Sequence, residues 1–136
     1  MTPVTLLGSV LATATLVALG AVVGAPADGV TSSYGHTHAA DGRLRDGCHT
    51  YRYRYVVTTP THDWTLETFL VDPNGDTLAS GAFLSDSDPE RGTSGFRFCR
   101  YSTRAGKFTI RAKVHWYNGS GEHKAFFTPS HFRLRR

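Results

Sequence analysis

Apolar and polar residues alternate with a period of two through most of the second half of the chain. The longest such run is Lys107–Tyr117, where Phe108, Ile110, Ala112, Val114 and Trp116 alternate with Thr109, Arg111, Lys113, His115 and Tyr117. A strand puts all five apolar groups on one sheet face, whereas a helix scatters them around its circumference. The same period appears in Tyr51, Tyr53, Tyr55 and Val57, with Arg52 and Arg54 pointing the other way. Tyrosine and valine favour strands, so this segment has one buried and one wet face.

Trp64–Val71 reads as the next strand, with Trp64, Leu66 and Leu70 on one parity and Phe69 and Val71 on the other. Asp72-Pro73-Asn74-Gly75-Asp76 is a turn: Pro fixes φ and Asn-Gly tolerates a positive one. It closes a hairpin onto a short strand at 77–83. Residues 85–95 read as a polar loop, followed by a strand at 96–101 with Phe96 and Phe98 on one face and Cys99 and Tyr101 on the other. Arg104-Ala105-Gly106 and Asn118-Gly119-Ser120-Gly121 are further turns. A last strand starts at Glu122, breaks or bulges at Pro129, and resumes its alternation at Phe132 and Leu134.

The beginning of the chain is different. Leu6 to Val23 carries no charge, and Ala25-Pro26-Ala27 resembles the small-residue cleavage site of an export signal. Residues 1–27 are therefore expected to be a signal peptide. An uncleaved membrane anchor is the rival, because no Lys or Arg precedes the run and the run is long enough to cross a bilayer. Residues 28–47, rich in Gly, Ser, Thr, His and Asp, are expected to be a flexible lead-in with at most a short edge strand near 42–45. The β-domain proper is then 48–136.

All 15 Lys/Arg, all 11 Asp/Glu and all the aromatic residues lie beyond position 27, for a formal charge of +4. The aromatic supply suffices to nucleate a core, although so short a chain gains from a staple. Cys48 and Cys99 are the only cysteines. An oxidising compartment favours pairing them, and closing so long a loop constrains the unfolded chain by about 4 kcal/mol. Two free thiols or an intermolecular bridge are the alternatives. There is no CxxC arrangement for thiol exchange.

These elements sum to an all-β fold, an immunoglobulin-like antiparallel β-sandwich of about six or seven strands, with a small jelly roll or barrel as the alternative. The Asp72-Pro73-Asn74-Gly75 turn, and Tyr101-Ser-Thr-Arg-Ala-Gly-Lys-Phe-Thr-Ile leading into the long alternating strand, resemble hairpins of secreted bacterial immunoglobulin-like and accessory β-sandwich domains. The resemblance covers roughly residues 48–134. It implies a module that binds surfaces, glycans or proteins, in which the Ala-Gly turn and the aromatic after it serve folding. Trp64 stands 16 residues beyond Cys48, close to the immunoglobulin pattern, but Arg97 occupies the tyrosine-corner position two residues before Cys99.

No catalytic constellation emerges. The chain lacks a Gly-x-Ser-x-Gly elbow and a His-Glu-x-x-His pair. The acid pairs Asp63/Glu67 and Asp86/Glu90 read as hydration devices of polar segments. His36 and His38 could chelate a metal, but a zinc site needs three or four converging ligands. Asp72, Asn74 and Asp76, and likewise Asp86, Asp88 and Glu90, alternate oxygen donors as calcium loops do. Neither has the full spacing, and turn capping explains both. Asn118-Gly119-Ser120 fits a glycosylation acceptor. No cofactor and no metal is expected.

What remains is cationic surface. Arg52 and Arg54 share a strand face; Arg97, Arg111 and Lys113 form a second charged area if the sheets pair that way; Arg133, Arg135 and Arg136 form a basic end. Arginine pairs with carboxylates and phosphates. The charge is mild and of mixed sign, which indicates no specific nucleic-acid binding. The expectation is a secreted or cell-surface, non-catalytic protein that recognises a cell-envelope polymer or an extracellular protein, with membrane contact only if the first segment stays uncleaved. A structural, self-assembling protein and a small secreted hydrolase or toxin are the competing classes.

Overall fold

The computed structural model describes residues 30–136; the signal-peptide expectation for 1–27 lies outside them. Nine strands form: β1 (Gly35–His38), β2 (Gly42–Arg43), β3 (Cys48–Val57), β4 (Trp64–Val71), β5 (Thr77–Leu84), β6 (Arg91–Cys99), β7 (Gly106–Asn118), β8 (Gly121–Phe126) and β9 (Ser130–Arg135). The smaller sheet has the order β1-β3-β6, and the larger runs β2-β9-β7-β4-β5 with β8 added to β7. The two form a sandwich-like, partly curled arrangement.

The alternating residues meet in the space between the sheets. Tyr53, Tyr55, Val57, Phe96 and Phe98 from the smaller sheet are buried against Trp64, Leu66, Leu70, Phe108, Ile110, Val114 and Trp116 from the larger. Rings stack between diagonal neighbours on β3 and β6, Tyr51 on Phe98 at 4.4 Å and Tyr53 on Phe96 at 4.3 Å between centroids. Among the described residues two side-chain hydrogen bonds link the sheets; the Thr37 and Ser130 hydroxyls, 2.6 Å apart, form one of them, and the other lies deeper in the core. The Tyr53 hydroxyl lies 2.8 Å from Thr68 Oγ1, and Thr68 is wholly buried. Burial pushes the Tyr53 phenol up, against the lowering effect of its bonds to Thr68 and Ser94.

Strand β7 is long enough to hold two partners on one edge. Its first half pairs with β9, from Gly106 opposite Leu134 to Ile110 opposite Ser130, and its second half pairs with β8. The Phe127 amide donates to Ala112 at 2.9 Å, so Thr128 and Pro129 are both left opposite Arg111. This bulge reverses parity: Ala125 and Phe127 point inward before it, Phe132 and Leu134 after it.

Several expectations change. Residues 35–44 are not a loose lead-in, although the short edge strand expected near 42–45 does form, as β2. β1 pairs antiparallel with β3, Leu44 is buried, and its amide bonds Arg135 O at 2.7 Å. The inward positions of β1 are Gly35 and Thr37, followed by the buried Ala39 just past its end, all too small to register as an apolar stripe. Gly35 fits because a bulky neighbour fills the space: a Cβ there would sit 2.4 Å from the Phe127 ring. The polar loop is also shorter than 85–95, since β6 begins at Arg91. Gly92 belongs to the strand because the Tyr55 ring lies over it, leaving 2.6 Å between a would-be Cβ and the hydroxyl. The strand ends at Cys99, where a 3-10 turn takes over at Arg100–Ser102. Finally, the pairing is not purely antiparallel: β2 runs parallel to β9.

Candidate anion-binding face

Cys48 and Cys99 are cross-strand partners on β3 and β6 and are joined by a disulfide. In the immunoglobulin pattern the bridge ties two sheets through the core; here it clamps neighbouring strands of one sheet. Parity puts it on the outer side, since Tyr51, Tyr53 and Tyr55 face inward. The bond closes a separation of 51 residues.

The same parity assigns every outward position of the smaller sheet. On β3 these are Thr50, Arg52, Arg54 and Val56; on β6, Arg91, Thr93, Gly95 and Arg97; on β1, His36 and His38. The four arginines and both histidines are exposed. No Asp, Glu, Asn or Gln stands on this face, and among the described residues none of the four guanidinium groups has an ion-pair partner. The carboxylates nearest in sequence are engaged elsewhere, Glu90 with His62 at 2.6 Å and Asp46 with Arg100. Open depressions run between these side chains, one lined by His36, His38, Arg54 and Arg91, another by Thr50, Arg52 and Thr93.

The sequence candidates divide accordingly. Arg52, Arg54 and Arg97 share the smaller sheet's face, with Arg97 directly opposite Thr50. Arg111 and Lys113 lie on the outer face of the larger sheet, so the expected Arg97–Arg111–Lys113 area does not exist. Lys113 stands 3.6 Å from Glu67 there. Arg133 and Arg135 alternate outward on β9, and Arg136 bonds Arg43 through its carbonyl at 3.3 Å. Arg91 was hidden by the loop reading of 85–95. Its signal was the odd-numbered series Arg91, Thr93, Gly95, Arg97, set against the even series that ends in Phe96 and Phe98.

The acidic loops cap turns. Asp72 is buried and accepts the amides of Asn74 and Asp76 at 2.9 and 3.0 Å, and the Thr103 hydroxyl at 2.7 Å. Burial alone would raise its pKa, but Thr103 and the turn amides hold the carboxyl below the usual carboxylate value. Asp88 accepts the Leu84 amide at 2.9 Å. Among the described residues no group of three or more His, Cys, Asp or Glu gathers in a form that could hold a metal ion, and no catalytic cluster forms. No described helix is long and apolar enough to cross a membrane. Comparison with protein-family models and with curated proteins returns no match. The chain is an all-β, disulfide-bridged, sandwich-like domain, and the disulfide is consistent with an extracellular setting.

Proposed function

We propose that this chain is a secreted or cell-surface, non-catalytic binding protein that recognises an anionic component of the cell envelope through the outer face of its smaller sheet. One observation carries the reading: Arg52, Arg54, Arg91 and Arg97 share a surface with no carboxylate on it. Uncompensated cations on a rigid sheet repel one another in the free protein and are relieved by an anionic ligand. Residues 1–27 would deliver the domain and be removed after Ala27. The role is the one common among immunoglobulin-like accessory domains, a stable sandwich that presents a surface. Arg111, Lys113, Arg133, Arg135 and Arg136 would add long-range attraction only.

Self-assembly through the free edge of β6 is less favoured, because a second copy would bring Arg91 and Arg97 up against their own like charges. The test is retention of the mature domain on isolated envelope polymer across a salt series. The domain is expected to bind at low salt and elute as salt rises, and the Arg52→Gln/Arg54→Gln variant is expected to flow through. Absence of retention at low salt overturns the proposal.

A further inference from the structure

Resting on that reading, we infer that the ligand is a linear phosphodiester polymer lying along β3, with one phosphate for each rung of the smaller sheet. Cross-strand partners define the rungs: His36, Val56 and Arg91; His38, Arg54 and Thr93; Arg52 and Gly95; Thr50 and Arg97. Each of these four rungs carries one arginine. Successive rungs are two residues apart, about 6.7 Å along a strand, so the file of Arg91, Arg54, Arg52 and Arg97 extends over about 20 Å of backbone. No single small anion can be shared by all four. A chain whose phosphorus atoms are separated by three carbons and two oxygens stretches to the rung spacing.

The rest of the face says what such a chain need not contain. Tyr51, Tyr53, Tyr55, Phe96 and Phe98 all turn inward, so the face offers no Phe, Tyr or Trp platform to stack a base or a sugar ring. The face also lacks the Asp, Glu, Asn and Gln acceptors that sugar hydroxyls require. Carboxylated glycans interpose whole hydroxyl-bearing rings between their charges, which this face cannot satisfy. Its groups mainly donate: guanidinium forks that bond phosphate oxygens in pairs, flanked by the hydroxyls of Thr50 and Thr93.

The probes are base-free deoxyribose-phosphate oligomers of increasing length, compared with inorganic phosphate, oligo-thymidylate, polygalacturonate and vesicles containing phosphatidylglycerol. Affinity should rise by at least about tenfold between two and four phosphates and then level off. The slope of log affinity against log salt should be about −3 for four contacts. Oligo-thymidylate should bind no more tightly than the base-free oligomer. Arg52→Gln/Arg54→Gln should flatten the slope by about 1.4, whereas Lys107→Gln/Lys124→Gln, equal in charge but on the larger sheet, should leave it unchanged. Unchanged thermal midpoints would show that both variants fold. Tight binding to polygalacturonate or to vesicles with the oligomers silent overturns the phosphodiester inference and leaves the anionic-envelope reading intact. Silence of every probe at low salt overturns both.

Discussion

The two sheets turn chemically different faces outward. On the larger sheet Lys113 and His115 stand 3.6 and 3.8 Å from Glu67, and Glu122 closes on His115 from β8. On the smaller sheet Arg52, Arg54, Arg91 and Arg97 stand among threonines, histidines and a glycine. Inside, the same sheets are alike, both lined with aromatic and aliphatic side chains. The contrast separates two uses of charge. The larger sheet ties Lys113 to a carboxylate on its own face, and the smaller has no carboxylate to offer its four arginines. It also shows which sheet needs help, since three strands must hold a like-charged surface flat, and their ties are few and specific.

The largest effect should come from the tie within the smaller sheet. Replacing both cysteines, Cys48→Ala with Cys99→Ala, is expected to cost about 4 kcal/mol in denaturant unfolding. A loss under about 1 kcal/mol would mean that the backbone ladder and the aromatic pairs already hold β3 and β6 together without the bridge. Next is the Asp72 hub, which joins the end of β4 to Thr103 on the crossover between the sheets. Asp72→Asn should cost about 2 kcal/mol near neutral pH, as charge-assisted bonds are lost.

Its pH dependence has a definite sign. The folded carboxyl lies below its unfolded value, so between the two the unfolded chain binds more protons and stability rises with pH. The contribution is complete above the unfolded value of about 4 and disappears as pH falls through the folded one. Asp72→Asn should therefore flatten the acid limb of a stability–pH curve; an unaltered limb would deny Asp72 this role.

Third is the buried bond from Tyr53 to Thr68. Tyr53→Phe leaves the buried Thr68 hydroxyl only a long contact to Gly81 O at 3.5 Å, and should cost about 1 kcal/mol by thermal or denaturant melts. The smallest effects sharpen the comparison of the outer faces most. Glu67→Gln on the larger sheet should lose no more than about 0.5 kcal/mol. Arg52→Gln with Arg54→Gln on the smaller sheet should be neutral or stabilising by a similar amount, because it removes repulsion. Marked destabilisation by the arginine pair would mean that those side chains serve packing.

Alternation made the large sheet legible in advance. Lys107–Tyr117 and Trp64–Val71 pair in register, from Trp64 opposite Trp116 to Val71 opposite Thr109, with their apolar series facing in. Arg52 and Arg54 were legible for the same reason. What escaped depended on fit between residues distant in sequence. Gly35 looks like linker until Phe127 is set beside it, and Gly92 looks like a turn until the Tyr55 ring covers it. The full arginine file needed the order β1-β3-β6, in which neighbours in space are not neighbours in the chain, so no periodicity within one segment could bring Arg91 and Arg97 to Arg54 and Arg52.

The bulge beside Arg111 carries a rule about length. Because Thr128 and Pro129 together occupy the space of one residue, Phe127 and Phe132 both reach the core although their positions differ in parity. Deleting either Thr128 or Pro129 would leave the other opposite Arg111 and straighten the strand, while Ser130 stays opposite Ile110 and Leu134 opposite Gly106. A deletion within β9 itself would instead turn part of its core series to the other face. In the divergence of such a chain, this corner should therefore admit the loss of one residue far more readily than the ladders on either side of it.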